Sequence, residues 1–123
     1  HPAASFDPQI AANDDLLDYC RARGITMLAY SPLLSGAYSR ADREIPPQYA
    51  GTDTENRLTV LKTVADEVDA TVNQVVLAWM LHSDPPVIPL IAASTKAHMQ
   101  ENLDALNVTL SVDQMESLNN AGT

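Results

Sequence analysis

One segment of the chain, Tyr30–Gly36, carries groups suited to binding a phosphate-bearing ligand. It offers an aromatic ring, the hydroxyls of Ser31 and Ser35, and free backbone amides. The segment follows Ile25–Tyr30, a short apolar run broken by Pro32, which predicts a strand buried on both faces of a parallel sheet. Ligands of such sheets gather at the carboxyl ends of the strands. A phosphate-bearing ligand could use all of these groups.

A second segment, Ala92–His98, repeats this arrangement. It follows Val87–Ala93, an apolar run that predicts another buried strand, and it leads into a helix that Ser94 or Thr95 could cap. Small residues allow a ligand to approach, the helix N-terminus presents N–H groups to an anion, and a lysine and a histidine add possible positive charge. Plain helix capping accounts for the same residues without a ligand, so the spacing alone leaves both interpretations open.

Apolar periodicity predicts five helices around these two strands. They cover residues 10–23, 56–68 and 71–82, a segment through Met99, Leu103 and Leu106, and a short segment that ends at Asn120. Gly24 stands where a left-handed residue ends the first helix. Thr71 with Gln74, and Ser111 with Gln114, have the form of capping boxes. Residues 33–54, rich in glycine, proline and polar residues, predict a long loop.

The alternation of helices and strands predicts an α/β fold with a parallel sheet covered by helices. Only two strands are evident, and a two-stranded parallel sheet would expose its faces and both edges. We therefore expect further strands from elsewhere, either from a missing part of the polypeptide or from another chain. The chain opens with His1, which fits the expectation that the beginning of a longer polypeptide is missing.

Composition limits the classes of function. The 123 residues are 46% hydrophobic and 19% charged, as expected of one globular folding unit. A formal net charge of -9 disfavours nucleic acid and anionic membrane surfaces as partners. Cys20, the only cysteine, excludes an internal disulfide, predicts a buried structural thiol and favours a cytoplasmic location. His1, His82 and His98 lack metal-ligand spacing, so no metal site is expected.

Four segments in order resemble the aldo-keto reductase family. Gly24–Leu33 resembles the segment in which a glycine and a strand ending in Tyr-Ser lead into the cofactor site, and Thr71–Met80 resembles the helix before the last barrel strand. Pro89–Asn102 resembles the adenosine-phosphate motif, and Leu110–Gln114 resembles the start of the closing helix. The resemblance implies a partial (β/α)8 TIM barrel, with residues 1–123 forming its C-terminal half and the N-terminal half absent.

The resemblance also implies a set of cofactor-binding residues. They are Tyr30, Ser31, Leu33, Ser35, Ala92, Ser94, His98, Glu101 and Asn102. In the family, the tyrosine stacks on the nicotinamide, its neighbours line the pyrophosphate, and the later residues hold the adenosine end. Ser94 stands where many relatives carry arginine, and a hydroxyl cannot form the charge-assisted pair that guanidinium makes with a 2′-phosphate. NADPH is the expected cofactor, with NADH open.

The family's catalytic Tyr, Lys, Asp and His come from N-terminal strands, and no segment here resembles those strands. We therefore expect no catalytic residue in this chain. The leading hypothesis is NAD(P)H-dependent reduction of aldehydes or ketones by a longer protein, to which this chain contributes the cofactor-binding half. A non-catalytic nucleotide-binding or regulatory subunit of the same fold is the main alternative. An interaction module that completes its sheet with another chain is the third.

Overall fold

The structure, a computed structural model, describes residues 14–29 and 52–121. In chain order, the elements are α1 (Asp14–Arg23), β1 (Met27–Ala29), α2 (Thr52–Val68), α3 (Val72–His82), β2 (Val87–Pro89), α4 (Lys96–Asp104), a 3-10 turn (Ala105–Asn107) and α5 (Val112–Asn120). This order confirms the predicted α/β alternation over the described ranges. None of the helices in those ranges is long and apolar enough to cross a membrane.

The two strands pair in parallel, with Leu28 opposite Ile88. One further hydrogen bond, from Leu90 N to Ala29 O at 2.9 Å, continues the pairing beyond β2. Both strands are shorter than predicted, because a strand extends only as far as its backbone finds a partner. The prediction that both faces are buried was wrong for this chain: the side chains of Leu28 and Ile88 are 54% and 45% exposed.

The hydrophobic core lies between helices and includes residues from α2, α3 and α5. Its buried members are Leu61, Val64, Ala65, Val75, Val76 and Leu118. Apolar residues recur at helical spacing on one side of each helix, so packing these sides together removes them from water. Trp79 is half-buried and packs against this cluster.

Local signals in the sequence determine several helix ends. Gly24 adopts φ +66° after α1, the left-handed conformation that a helix terminus favours. Both predicted capping boxes form, with Thr71 at the start of α3 and Ser111 at the start of α5. Helix α2 begins at Thr52, four residues before the predicted start. Its first turn carries no apolar residue, so hydrophobic periodicity could not mark it.

Arg21 on α1 forms an ion pair and a hydrogen bond with the connection between α3 and β2. Its Nη1 lies 2.7 Å from Asp18 Oδ1, its Nε lies 3.4 Å from Asp84 Oδ1, and its Nη2 donates to the Asp84 carbonyl. These groups are largely exposed, so each ion pair contributes little stability by itself. Cys20, one residue earlier, is buried as predicted. Together they anchor α1 beside the segment that leads into β2.

Candidate functional site

Both strands end at the same edge of the sheet, because their last residues, Ala29 and Pro89, are paired. The stretch that follows β2 therefore begins beside the end of β1. Four predicted cofactor residues, Tyr30, Ser31, Leu33 and Ser35, lie outside the described residues. The other five lie on the stretch from the end of β2 through α4.

The turn from β2 into α4 shows which hydroxyl caps the helix. Thr95 Oγ1 accepts a hydrogen bond of 3.1 Å from His98 N, and the Thr95 carbonyl accepts one of 3.1 Å from Met99 N. Thr95 is therefore the cap, and the exposed Ser94 hydroxyl is not needed for capping. The N–H groups of Lys96 and Ala97 have no acceptor within the helix. Within the ranges the structure describes, no other residue supplies one.

The predicted adenosine-side residues differ in exposure along the stretch that leads into α4 and through it. Ala92, Ser94 and His98 are exposed, Glu101 is half-buried, and Asn102 is buried with 7% of its surface accessible. The exposed end offers a hydroxyl and helix N–H groups, which suit a phosphate. The buried end offers a carboxylate and an amide, which suit the hydrogen-bonding edge of a base. The two ends of this stretch therefore offer a ligand different chemical groups.

The buried side of α4 does not include the leucines through which the helix was predicted to run. Leu103 and Leu106 are 48% and 68% exposed. Asn102 and Ala105 are buried instead, and the α-helix ends at Asp104 before a 3-10 turn. Three-residue spacing puts Asn102 and Ala105 on one side of the segment. The small side chain of Ala105 allows that side to pack closely.

A glutamine joins α3 to α4 near this buried side. Gln74 Nε2 donates to the Glu101 carbonyl at 2.9 Å, across 27 positions of sequence. Gln74 Oε1 accepts from Thr71 N at 3.0 Å, which completes the capping box of α3. The sequence indicated only this capping role, because nothing local shows where the second half of the amide points.

Asn73, the residue before this glutamine, was not singled out from the sequence. Its Oδ1 is buried, and no hydrogen-bond partner for it lies in the described part of the chain. Buried polar atoms are rarely left without a partner, so Asn73 is unusual at the start of α3. An asparagine near a helix N-terminus ordinarily indicates capping, which is why composition and spacing did not distinguish it.

A cavity of about 490 Å³ lies at the junction of α2, α3 and the segment after α4. It is lined by Val68, Asp69, Ala70, Gln74, Asp104, Asn107, Val108 and Thr109. None of the predicted cofactor residues that the structure describes lines it, so cavity size does not identify the site. Among residues 14–29 and 52–121, no cluster of three His, Cys, Asp or Glu side chains could hold a metal ion.

Comparison with known proteins identifies the family. The family model described as "Aldo/keto reductase family" matches residues 4–122, nearly the whole chain. This chain belongs to the aldo/keto reductase family. The resemblance inferred from the four sequence segments is thereby confirmed, and aldo-keto reductases are oxidoreductases. The described α/β elements form part of the fold of this family.

The curated relatives are much longer than the chain. Aldo-keto reductase str7 of Strobilurus tenacellus is 30% identical over 126 aligned positions, which cover 91% of this chain and 36% of the relative. An uncharacterized oxidoreductase of Schizosaccharomyces pombe, C215.11c, is 27% identical over 110 residues, 89% of this chain and 31% of the relative. The chain thus spans about a third of the length of these relatives.

Solved aldo-keto reductase structures share the arrangement of the chain. The thermostable aldo-keto reductase Tm1743, solved in complex with the inhibitor epalrestat, superposes with a TM-score of 0.66 at 30% identity. The match covers 86% of this chain and 33% of that protein. MGS-M4, an aldo-keto reductase from a deep-sea metagenome library, has the same fold over 90% of this chain, with a TM-score of 0.63 and 23% identity.

Proposed function

We propose that this chain supplies the cofactor-binding half of an NAD(P)H-dependent aldo-keto reductase that reduces aldehydes or ketones to alcohols. The observation that carries the proposal is the stretch from Ala92 to Asn102 in a chain of this family. There an exposed hydroxyl, a helix N-terminus and a buried amide follow one another beside the shared end of both strands. The donors and acceptors suit a phosphate at one end and a base at the other.

Each part of the cofactor would meet a different part of this stretch. Ser94 and the N–H groups that open α4 would bind the adenosine phosphate, with His98 one turn further along the helix. Glu101 and Asn102 would hold the base. From their place after β1, Tyr30 and the residues after it would hold the nicotinamide and pyrophosphate. When bound, the cofactor supplies the hydride that is transferred to a carbonyl carbon.

The residues at the phosphate end bear on the choice between NADPH and NADH. Ser94 contributes a neutral hydroxyl, whereas a 2′-phosphate is bound best by a guanidinium. Lys96 is exposed nearby and adds a positive charge to a strongly acidic chain, and the exposed His98 imidazole lies in the first turn of α4. We therefore propose NADPH as the main cofactor, with a smaller preference over NADH than an arginine would give.

The catalytic groups would come from an upstream half that also completes the sheet. Leu28 and Ile88 face each other in register and remain about half exposed, which is unusual for central strands of an α/β protein. Outside the aligned region, the relatives have roughly twice as many residues as this chain. We propose that further parallel strands close the sheet into a (β/α)8 barrel and bring the carbonyl substrate and the catalytic residues to its carboxyl end.

Fluorescence titration with NADPH and NADH tests this proposal by measuring the affinity of the protein for each cofactor. Binding is expected, and Tyr30→Ala and Ser94→Ala should each weaken it, whereas the exposed Ser117→Ala on α5 should leave it unchanged. Unchanged affinity in both site variants would contradict the assignment. Turnover of a panel of aldehydes and ketones then separates a reductase from a subunit that binds nucleotide without catalysis.

A further inference from the structure

We infer that Gln74 is a positioning residue for Glu101 and Asn102, acting through the backbone at the end of α4. The inference rests on the proposed function, because it assigns Gln74 a part in nucleotide binding without contact to the nucleotide. It starts from the 2.9 Å hydrogen bond that Gln74 Nε2 donates to the Glu101 carbonyl.

The Glu101 carbonyl is one that its own helix cannot satisfy. The last four carbonyls of an α-helix lack the N–H group that would ordinarily follow. In α4, the N–H of Ala105 is directed to the carbonyls of Asn102 and Leu103 and leaves that of Glu101 without its usual donor. Gln74 provides the missing donor from a different helix. The bond therefore ties the last turn of α4 to the first turn of α3.

Both ends of the Gln74 side chain are in use, which determines its orientation. Oε1 accepts from Thr71 N at 3.0 Å while Nε2 donates to Glu101. Rotating the amide by half a turn would place an oxygen against a carbonyl and an NH2 group against an N–H. Both bonds would be lost together in a partly buried setting, where unmet polar groups are destabilising. Gln74 is therefore a rigid link between the two helices.

This link accounts for which side of α4 is buried. Successive residues of a helix are turned by about 100°. A contact at Glu101 therefore also determines the direction in which Asn102 points. Asn102 is buried and Leu103 is exposed, as expected when this side of α4 is held toward α3. Without the bond, burial of Leu103 and Leu106 would favour a rotation of α4 that moves Asn102 out of its buried position.

A comparison within the chain separates this role from capping. Gln114 completes the same kind of capping box at α5, with bonds of 2.9 and 3.1 Å to Ser111. Its Nε2 instead meets an exposed side chain, Glu67 Oε1, at 3.3 Å. Capping by glutamine therefore does not require a bond to a helix carbonyl. The second bond of Gln74 is a separate feature of the α3–α4 junction.

The substitution Gln74→Glu isolates that second bond. A carboxylate retains the acceptor that Thr71 N needs, but it replaces the donor to Glu101 with an oxygen that repels the carbonyl. The variant is to be compared with wild type and with Gln114→Glu, which changes the matching residue of α5. Calorimetric titration with adenosine 2′,5′-bisphosphate and with nicotinamide mononucleotide reports the two ends of the site. Hydrogen exchange of the amides in 102–107 reports the last turn of α4.

In Gln74→Glu we expect affinity for adenosine 2′,5′-bisphosphate to fall about tenfold, the loss of one partly buried hydrogen bond. Binding of nicotinamide mononucleotide should remain the same, exchange in 102–107 should accelerate, and α3 should stay protected. Gln114→Glu should change neither titration. Unchanged exchange in 102–107, or equal weakening of both ligands, would overturn the inference. A wild-type protein that binds neither ligand would contradict the proposed function, and the exchange measurement would still decide whether Gln74 holds α4.

Discussion

The indole of Trp79 donates a hydrogen bond of 2.8 Å to Asn119 Oδ1, although 40 positions separate the two residues. The ring is half-buried against the core cluster, and the bond holds the end of α5 against α3. The N–H of a Trp ring that packs on a core usually finds a hydrogen-bond partner, and here the packing of the helices brings that partner from a distant part of the sequence.

Loss of this bond should be measurable as a coupling between the two residues. Trp79→Phe and Asn119→Ala should each lower the free energy of unfolding, and the double variant should lose about 1 kcal/mol less than the sum of the single effects. Urea denaturation followed by far-UV circular dichroism measures all four proteins without relying on Trp fluorescence. Additive effects would show that the bond contributes nothing in solution.

Leu77 on α3 should be among the most sensitive core positions. Its side chain is only 2% exposed, so Leu77→Ala removes buried methyl groups and leaves a cavity. We expect a loss of about 3 kcal/mol in the free energy of unfolding. Leu106→Ala is the matched control, since Leu106 is 68% exposed and should change stability by less than about 0.5 kcal/mol. Similar denaturation midpoints for the two variants would contradict the described packing.

Glycine should be favoured at position 24 because of the backbone conformation there, not because a larger side chain would clash. A Cβ built there meets nothing within 4 Å, yet φ is +66°. Gly24→Ala should therefore cost about 1 kcal/mol in the free energy of unfolding through strain alone. Gly24→Asn should cost less, because asparagine tolerates the left-handed region better. Thermal unfolding of the two variants checks the order, and an alanine variant as stable as wild type would argue against this turn.

The cofactor preference should respond to charge at position 94. Ser94→Arg introduces a guanidinium where an exposed hydroxyl stands, so the ratio of NADPH to NADH affinity should rise about tenfold if this position meets the 2′-phosphate. Ser117→Arg adds the same charge on the exposed side of α5 and should leave the ratio unchanged. Equal ratios in both variants would place the adenosine phosphate elsewhere.

Features encoded by a few neighbouring residues were predictable from the sequence. Gly24 and the two capping boxes formed as expected, because each depends on contacts within three or four positions. Family membership was also recognisable from four short segments. The choice of Thr95 over Ser94 as the cap required the structure, since both hydroxyls precede α4 at plausible positions.

Features that depend on distant partners were not predictable. Strands β1 and β2 extend only over residues that pair with each other, and the bond that Gln74 donates to Glu101 crosses 27 positions of sequence. The first turn of α2, which has no apolar residue, gave no hydrophobic signal. The roles of the cofactor residues, including Tyr30, Ser31, Leu33 and Ser35 outside the described ranges, stay predictions for the titrations to test.

The uncovered pair Leu28 and Ile88 has a practical consequence for handling this polypeptide. Adjacent apolar side chains that are half exposed on a strand pair favour association with other hydrophobic surfaces, including those of another copy of the chain. Hydrophobic association weakens on cooling. Samples of this chain without the rest of the proposed barrel should therefore aggregate least at low temperature and more as the temperature rises.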